Sequence, residues 1–230
     1  MRKEVTAIVV ARKGSNRVKQ KNKLPLCGTP MYLRKLQQLQ GCSTIDRVIF
    51  GSDDEEMLEE AKKHGVEVVH RPDYFCDEAQ ASANDMIGNM MDLVETDIVV
   101  WAHCTNPLIS SRTYDEAVNE FFSHYPQYDS LLSVVKLQEH LWHEIDGAFK
   151  PLNYNPYGKR HIPARELPPY YMQDGGIFIQ PYDQMKENRY FFGRKPLLFC
   201  IQEDEFLDVN TIRDYMLASV ITEAHLDSKR

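Results

Sequence analysis

Short apolar runs alternate with amphipathic segments along most of this chain. Runs of four to six mostly apolar residues predict buried strands at 6–10, 47–50, 66–69, 98–101, 130–135, 176–179 and 197–201. Apolar residues at helical spacing predict helices between them, at 30–40, 53–64, 84–94, 114–122 and 211–223. This alternation predicts one α/β domain over residues 1–230, a mainly parallel sheet with helices on both faces.

Two segments carry predictions beyond this alternation. The segment 136–173 lacks a clean period and is rich in Pro, Tyr, His and Arg. We interpret it as a small inserted lobe or long loop that covers a site or reaches a partner subunit. The final helix, at 211–223, is expected to bury the side formed by Ile212, Tyr215, Met216, Ser219 and Val220.

Charge and composition argue against several classes of protein. The chain has 27 Lys and Arg against 34 Asp and Glu, and its net charge of −7 disfavours nucleic acid as the main partner. The five cysteines are scattered, without the Cys-x-x-Cys or Cys/His spacing of a zinc site. No apolar run approaches the length of a membrane span, and no signal peptide opens the sequence. We therefore expect a cytoplasmic protein with free thiols and no membrane partner.

The first predicted strand leads into a turn that is crowded with cations. Ala11-Arg12-Lys13-Gly14-Ser15 follows the strand directly, and then come Arg17, Lys19, Lys21 and Lys23. Converging backbone N–H groups and cationic side chains bind phosphate oxygens, and open α/β sheets bind ligands where their strands end. The turn has neither the GxxxxGK motif of a P-loop nor the GxGxxG motif of a dinucleotide fold. It predicts a phosphate site; the alternative is a solvated basic loop.

Six short motifs, in order along the chain, resemble those of the cytidylyltransferases that make CMP-sialic acid, a family related to the CMP-Kdo synthetases. The first is the basic turn, with Ala11, Arg12, Ser15, Lys21 and Asn22. The others are Arg71-Pro72, the stretch 101–108, Arg165-Glu166-Leu167-Pro168, the stretch 173–179 and Asp208-Val209-Asn210-Thr211. The resemblance implies a Rossmann-like nucleotidyltransferase fold. It also implies that CTP reacts with an anionic acceptor and releases pyrophosphate.

The resemblance assigns one set of residues to the nucleotide: Ala11, Arg12, Gly14, Ser15, Lys21, Asn22, Arg71 and Thr105. Arg12 and Lys21, together with Asp208, are the expected catalytic residues. Their work would be positioning and charge neutralisation rather than covalent catalysis. For Arg71, the alternative is a surface cation before a turn proline.

A second set is assigned to the acceptor: His103, Asn106, Arg165, Asp174 and Gly175. Arg suits this role because its planar fork pairs two oxygens of one carboxylate. Three of these positions depart from the family, which usually has Gln at 103, Ser at 106 and Asn at 174. The expected acceptor is a sialic-acid-like 2-keto sugar acid, and a phosphonate or a phosphorylated small molecule stays open.

The last motif is the expected metal site. In an extended segment, residues two apart point the same way, so Asp208 and Asn210 can hold one Mg²⁺ through oxygen atoms. The family has a second Asp where this chain has Asn210. Two alternatives stay open: the segment only caps the last helix, or the chain is a nucleotide-binding homologue without activity.

The sequence also predicts a homodimer. The segment 136–173 and the aromatic run Tyr190-Phe191-Phe192 suggest an apolar surface that needs cover. The sialic-acid enzymes that this chain resembles are dimers, and they place such a segment against the partner's site.

Overall fold

The computed structural model describes residues 2–14 and 18–227. The strands are β1 (Val5–Val10), β2 (Pro25–Leu26), β3 (Thr29–Pro30), β4 (Arg47–Ser52), β5 (Glu67–His70), β6 (Ile98–His103), β7 (Ser130–Leu137), β8 (Trp142–Ile145), β9 (Ala148–Pro151), β10 (Tyr170–Pro181) and β11 (Pro196–Cys200). The helices are α1 (Met31–Gln40), α2 (Glu55–Lys63), α3 (Ala83–Leu93), α4 (Ser111–His124), α5 (Tyr182–Asn188) and α6 (Ile212–Asp227).

Seven of these strands form the central sheet, in the order β11-β7-β10-β6-β1-β4-β5. β1 lies parallel to both β4 and β6, and only β10 runs antiparallel to its neighbours β6 and β7. Alternate residues of β1 face opposite sides: Ala7 and Val9 join one apolar cluster, with α1, α2 and α4, and Ile8 joins another, with α3 and α5. The predicted sheet flanked by helices is confirmed.

Polar side chains cap the first turns of α2 and α3. The Asp54 side chain accepts a hydrogen bond from the Met57 amide at the start of α2. Ser82 and Asp85 form a reciprocal capping box at the start of α3. These caps satisfy amide groups that have no partner inside the helix, and they fix where each helix leaves the carboxyl edge of the sheet.

The sheet is longer than the apolar runs suggest. β7 continues through Leu137, and β10 begins at Tyr170, so both ends of the expected lobe at 136–173 belong to the central sheet. β10 pairs with β7 on either side of an irregularity between Gln173 and Phe178, which interrupts the strand period. The intervening residues carry the separate two-stranded sheet of β8 and β9.

The prediction for the last helix is wrong for three of its five residues. Ile212, Met216 and Val220 are 60%, 63% and 64% exposed. Between residues 212 and 225, the buried residues of α6 are instead Ala218 and Thr222. Ala218 packs with Leu26, Met31 and Val209 in a small cluster apart from the main core. A small side chain lets α6 approach β2 closely, so burial follows size here rather than apolarity.

No helix in the part of the chain that the structure describes is both long and apolar enough to cross a membrane.

Candidate active site

A cavity of about 320 Å³ opens at the carboxyl edge of the sheet, where β1 and β6 end side by side. The loop after β1 supplies Arg12, Gly14, Lys21 and Asn22, and the end of β6 supplies His103, Cys104 and Thr105. The opposite wall comes from residues 71–86. Most residues predicted for the nucleotide therefore share one cavity: Ala11, Arg12, Gly14, Lys21, Asn22, Arg71 and Thr105. Ser15 lies outside the described residues.

Arg12 lines the cavity, and its guanidinium already forms an ion pair with a carboxylate. Its Nη2 lies 2.7 Å from Oε1 of Glu78, whose side chain is mostly exposed. The Arg12 carbonyl accepts a hydrogen bond from Asn22 Nδ2 at 3.5 Å, which ties the two ends of the basic loop together. Lys23, in contrast, is paired with Asp54 and Glu56 and does not line the cavity.

Arg71 is a buried part of the cavity wall rather than a surface cation. Its Nε donates to Asn89 Oδ1 at 3.2 Å, and its Nη2 donates to the Phe75 carbonyl at 3.0 Å. Burial lowers the pKa of Arg71, but a guanidinium stays charged at physiological pH. Arg71 thus places a fixed positive charge in the wall and also supports the turn at 73–76.

His103 lines the cavity with both ring nitrogens engaged. Trp101 Nε1, which can only donate, lies 3.2 Å from Nε2, so the proton of the neutral ring is on Nδ1. Nδ1 donates to the Gly175 carbonyl at 2.6 Å. Burial lowers the pKa of His103, which favours this neutral form. Both nitrogens are occupied, so His103 is placed to fix β6 against the Gly175 loop rather than to exchange protons with a ligand.

Asn106 and Asp174 are brought together below the cavity and do not line it. Asn106 Nδ2 donates to the Asp174 carbonyl at 3.1 Å, and the Ser133 hydroxyl donates to the Asp174 carboxylate. Burial raises the pKa of Asp174. The pair holds the irregular part of β10, where Gly175 has a φ of +78°, a value that glycine adopts most easily. Both residues support the site from behind.

The structure does not bring Arg165 to this cavity. Arg165 is exposed in a 3₁₀ turn, Ala164–Glu166, of the lobe between β7 and β10. Its carbonyl accepts a hydrogen bond from Gln138 Nε2 at 3.1 Å. A ligand in the cavity of the same subunit would not lie against this side chain.

Asp208 and Asn210 lie side by side as their spacing predicts. Asn210 Nδ2 donates to the Asp208 carboxylate. The Val209 amide donates to the Thr105 carbonyl at 2.7 Å, which fixes the segment against the end of β6. The α6 cap is made by Thr211 and Asp214, whose carboxylate accepts from the Asn210 and Thr211 amides. Asp208 is no part of that cap.

These donors suit Mg²⁺, which accepts oxygen ligands and retains several waters. The set is small, with one carboxylate and one amide oxygen. Across residues 2–14 and 18–227, no group of three or more His, Cys, Asp and Glu side chains is arranged to hold a metal. Because the neighbouring Val209 amide binds the carbonyl of Thr105, which lines the cavity, Asp208 lies near the cavity although it does not line it. A bound ion would depend on ligand phosphates for further oxygens.

Sequence reasoning missed two residues near this site. Glu78 gives no sign in the sequence that it meets Arg12, since 66 positions separate them. Lys35 is fully buried in α1, and its amine lies over the ring of Tyr114 in α4. Its position could have been found, because Lys35 comes three residues after Tyr32 and four before Leu39, on the side of α1 that is buried.

Comparison with known proteins adds a family and a fold. Residues 6–196 match the family model described as cytidylyltransferase. The pseudaminic acid cytidylyltransferase of Campylobacter jejuni is 22% identical, over 96% of this chain and 97% of its own length. The N-acylneuraminate cytidylyltransferase of Escherichia coli is 25% identical over 97% of this chain, which spans only 53% of that longer protein.

Two solved structures share the fold. A CMP:2-keto-3-deoxy-manno-octonic acid synthetase complexed with CTP has a TM-score of 0.69 at 14% identity, over 96% of this chain and 99% of its own. A 4-diphosphocytidyl-2C-methyl-D-erythritol synthase has a TM-score of 0.71 at 9% identity, with the same coverage of 96% and 99%. At these identities the likeness concerns the fold alone.

Proposed function

Since the chain belongs to the cytidylyltransferase family, we propose that it transfers CMP from CTP to a 2-keto sugar acid and releases pyrophosphate. The observation that carries this proposal is the cavity at the carboxyl edge of the sheet. Arg12, Lys21 and Arg71 all line it, in a protein whose net charge is −7. Positive charge concentrated in one concave site of an acidic protein fits a polyphosphate.

The loop after β1 would hold the triphosphate. Arg12 and Lys21 offer charge-assisted hydrogen bonds to phosphate oxygens, Asn22 offers an amide, and Gly14 lets the backbone approach closely. Ser15 is proposed as a further contact on the strength of the family motif. Thr105 lines the same cavity, just after β6.

The reaction would be an in-line displacement at the α-phosphorus. An acceptor oxygen forms the new bond to phosphorus, the bond to the bridging oxygen of pyrophosphate breaks, and the acceptor's proton leaves to solvent. Arg12 and Lys21 would stabilise the charge that develops on the phosphate oxygens. His103 takes no proton in this scheme, because its two nitrogens already bond with Trp101 and Gly175.

Asp208 and Asn210 would hold Mg²⁺ together with the phosphates of CTP. The ion would supply positive charge that neutralises the triphosphate. Because the amide of Asn210 brings no charge, Asp208 provides the protein's negative charge at this site. The contact of the Val209 amide with Thr105 keeps both side chains beside the nucleotide cavity.

The acceptor side involves a second copy of the chain in this proposal. The lobe exposes Trp142, Phe149 and Tyr157, and Arg165 lies on it away from its own cavity. Packing the lobe against a partner would cover these aromatic rings and could carry Arg165 to the partner's cavity. Arg165 would then pair with the acceptor's carboxylate, while Gly175, held by His103, forms the near wall.

A panel of acceptors tests the proposal. Pyrophosphate release from CTP and Mg²⁺ is measured with N-acylneuraminic, pseudaminic and 3-deoxy-manno-octulosonic acids, a phosphonate and a phosphorylated alcohol. A keto sugar acid should give the highest kcat/KM. Release with the phosphonate or the phosphorylated alcohol alone would support the alternative acceptors. Binding of CTP without release in any arm would show a nucleotide-binding protein without this activity.

A further inference from the structure

A lysine amine is buried in the core with no hydrogen-bond partner among residues 2–14 and 18–227. Lys35 is 0% exposed, and no described residue provides a hydrogen-bond partner for its Nζ. The amine lies over the Tyr114 ring, whose centroid is 4.7 Å from Nζ. A buried ammonium without a counter-ion is costly, so this residue needs an explanation.

The titratable and charged groups that face Lys35 come from every element around it. They are Arg34 of α1, Cys42 after α1, His103 of β6, Cys104 after β6, Tyr114 of α4 and Glu205 after β11. Burial raises the pKa of Cys42 and of Cys104 to about 12, and that of Tyr114 well above its usual value, so these three are neutral at pH 7. The Glu205 carboxyl group is held at the start of α4, where it accepts hydrogen bonds from the Ser110 amide and the Thr113 hydroxyl.

Cys104 connects Lys35 to the cavity. It lines the cavity, and it belongs to the same buried cluster as Tyr114, whose ring lies against the Lys35 amine. The charge of Lys35 also acts on His103, the next residue in the cavity wall. The amine therefore lies in the core behind the part of the cavity wall that Cys104 and His103 form.

Burial lowers the pKa of Lys35 to about 7, since desolvation disfavours the charged form. A polyphosphate in the cavity would bring several negative charges near the amine and would favour the ammonium again. The low dielectric of the core strengthens that interaction.

We propose that Lys35 is a positioning residue of the anion site, which takes up a proton from solvent when a polyphosphate binds and stabilises it without touching it. The neutral amine becomes an ammonium, and no other bond changes. The inference rests on the proposed function, because it assumes that a polyphosphate occupies the cavity. In this proposal, a residue of α1 contributes to anion binding from the core, without contacting the ligand.

Lysine resonances test the proposal without any substitution. In protein labelled at the lysine Cε, one resonance should titrate near pH 7, well below the value of about 10.4 for an unperturbed lysine. Saturating inorganic tripolyphosphate should move that midpoint upward. Absence of any lysine titrating below about pH 9 would overturn the proposal, as would a midpoint that saturating tripolyphosphate leaves unchanged.

Calorimetry in two buffers of different ionisation enthalpy provides the second test. With tripolyphosphate at pH 7, the wild-type protein should take up a fraction of a proton more than Lys35→Met, which keeps the chain length and loses the charge. Lys62→Met, at an exposed position of α2, should match the wild type. Equal uptake in all three proteins would overturn the inference. If tripolyphosphate and CTP both failed to bind the wild type, the proposed function itself would fall.

Discussion

Arg12 shows how a single residue can be prepared for an anion before one arrives. Its guanidinium is paired with Glu78, and that carboxylate is mostly exposed. Exposed ion pairs contribute about 0–1 kcal/mol, so a phosphate that offers more than one oxygen can displace Glu78. Glu78 thus marks the place where the first phosphate oxygen is expected.

Removing either cation of the basic loop should impair catalysis and leave the fold intact. Arg12→Ala and Lys21→Ala should each lower kcat/KM by 10-fold or more, about 1.4 kcal/mol or above, because each loses a contact with the phosphates. Steady-state kinetics with CTP, beside thermal unfolding of each variant, measure the two effects. Unchanged kinetics in both variants would mean that the loop is a solvated surface.

Asn210 is the residue where a small change should alter metal binding. In Asn210→Asp, the amide that donates to Asp208 becomes a second carboxylate, which favours a bound cation and disfavours the metal-free state. The Mg²⁺ concentration for half-maximal activity should fall, and Asp208→Ala should abolish activity. Calorimetric titration of Mg²⁺ into the CTP complex checks the first effect apart from turnover. Full activity in Asp208→Ala, with an unchanged Mg²⁺ requirement in Asn210→Asp, would rule out this site.

Asp174 should make stability depend on pH. Its raised pKa means that the native state keeps a proton which the unfolded chain has released, so stability falls as pH rises through that window. One carboxylate oxygen, Oδ2, is buried with no hydrogen-bond partner among the described residues. Asp174→Asn removes the charge and should raise the free energy of unfolding by ~1 kcal/mol at pH 7.

Urea unfolding between pH 4.5 and 8 measures that difference. The gain of Asp174→Asn over the wild type should be smallest at the acid end and should grow with pH. Asp146→Asn, at an exposed turn between β8 and β9, is the control and should show no such growth. A gain that is constant across the range would mean that the carboxyl of Asp174 is not protonated in the folded protein.

At the scale of elements, apolar runs located the strands well and their ends poorly. The run at 98–101 predicts β6, but the strand continues through His103, because its pairing with β1 extends to Val10. Tyr170 to Gln173 lack a clean alternation, yet they belong to β10, because β7 provides partners from Val134 to Leu137. Sheet pairing is a tertiary effect that local pattern does not contain.

The candidate site likewise contains residues whose role could be predicted from the sequence and residues whose role could not. The residues that share one loop, Arg12, Gly14, Lys21 and Asn22, could be predicted together because their chemistry is local. Whether His103 and Asp174 face a ligand could not be predicted, since each side chain is held by a residue of a different strand. Gly175 of β10 binds His103, and Ser133 of β7 binds Asp174. The prediction for α6 failed because its apolar residues are distributed all around the helix. The close packing at Ala218 decides which side is buried.

That orientation of α6 predicts which of two similar substitutions is harmful. Ala218→Leu inserts a large side chain against Leu26 and Val209 and should cost roughly 1–3 kcal/mol of stability. Val220→Leu, on the exposed side, should change stability by no more than about 0.5 kcal/mol. Thermal unfolding of both variants checks the prediction. The reverse order would mean that α6 buries its apolar stripe.

At the scale of the whole molecule, the lobe predicts assembly. Its exposed Trp142, Phe149 and Tyr157 form an apolar surface unusual for a free monomer. We expect a homodimer by sedimentation velocity at micromolar concentration. Phe149→Glu should shift it toward monomer, because dimer formation would bury the new charge. A wild-type protein that sediments as a monomer would remove this expectation, and with it the role proposed for Arg165.

The proposed function depends on one reaction, the transfer of CMP from CTP to a keto sugar acid. Purified protein is incubated with Mg²⁺, a keto sugar acid and each of the four nucleoside triphosphates, and mass spectrometry quantifies the products. The result expected is a CMP-conjugate of the acid, formed from CTP in a one-to-one ratio with pyrophosphate and at least 10-fold less in Arg12→Ala. A conjugate formed equally well from ATP or GTP, or none from CTP with any acid in the panel, would contradict it.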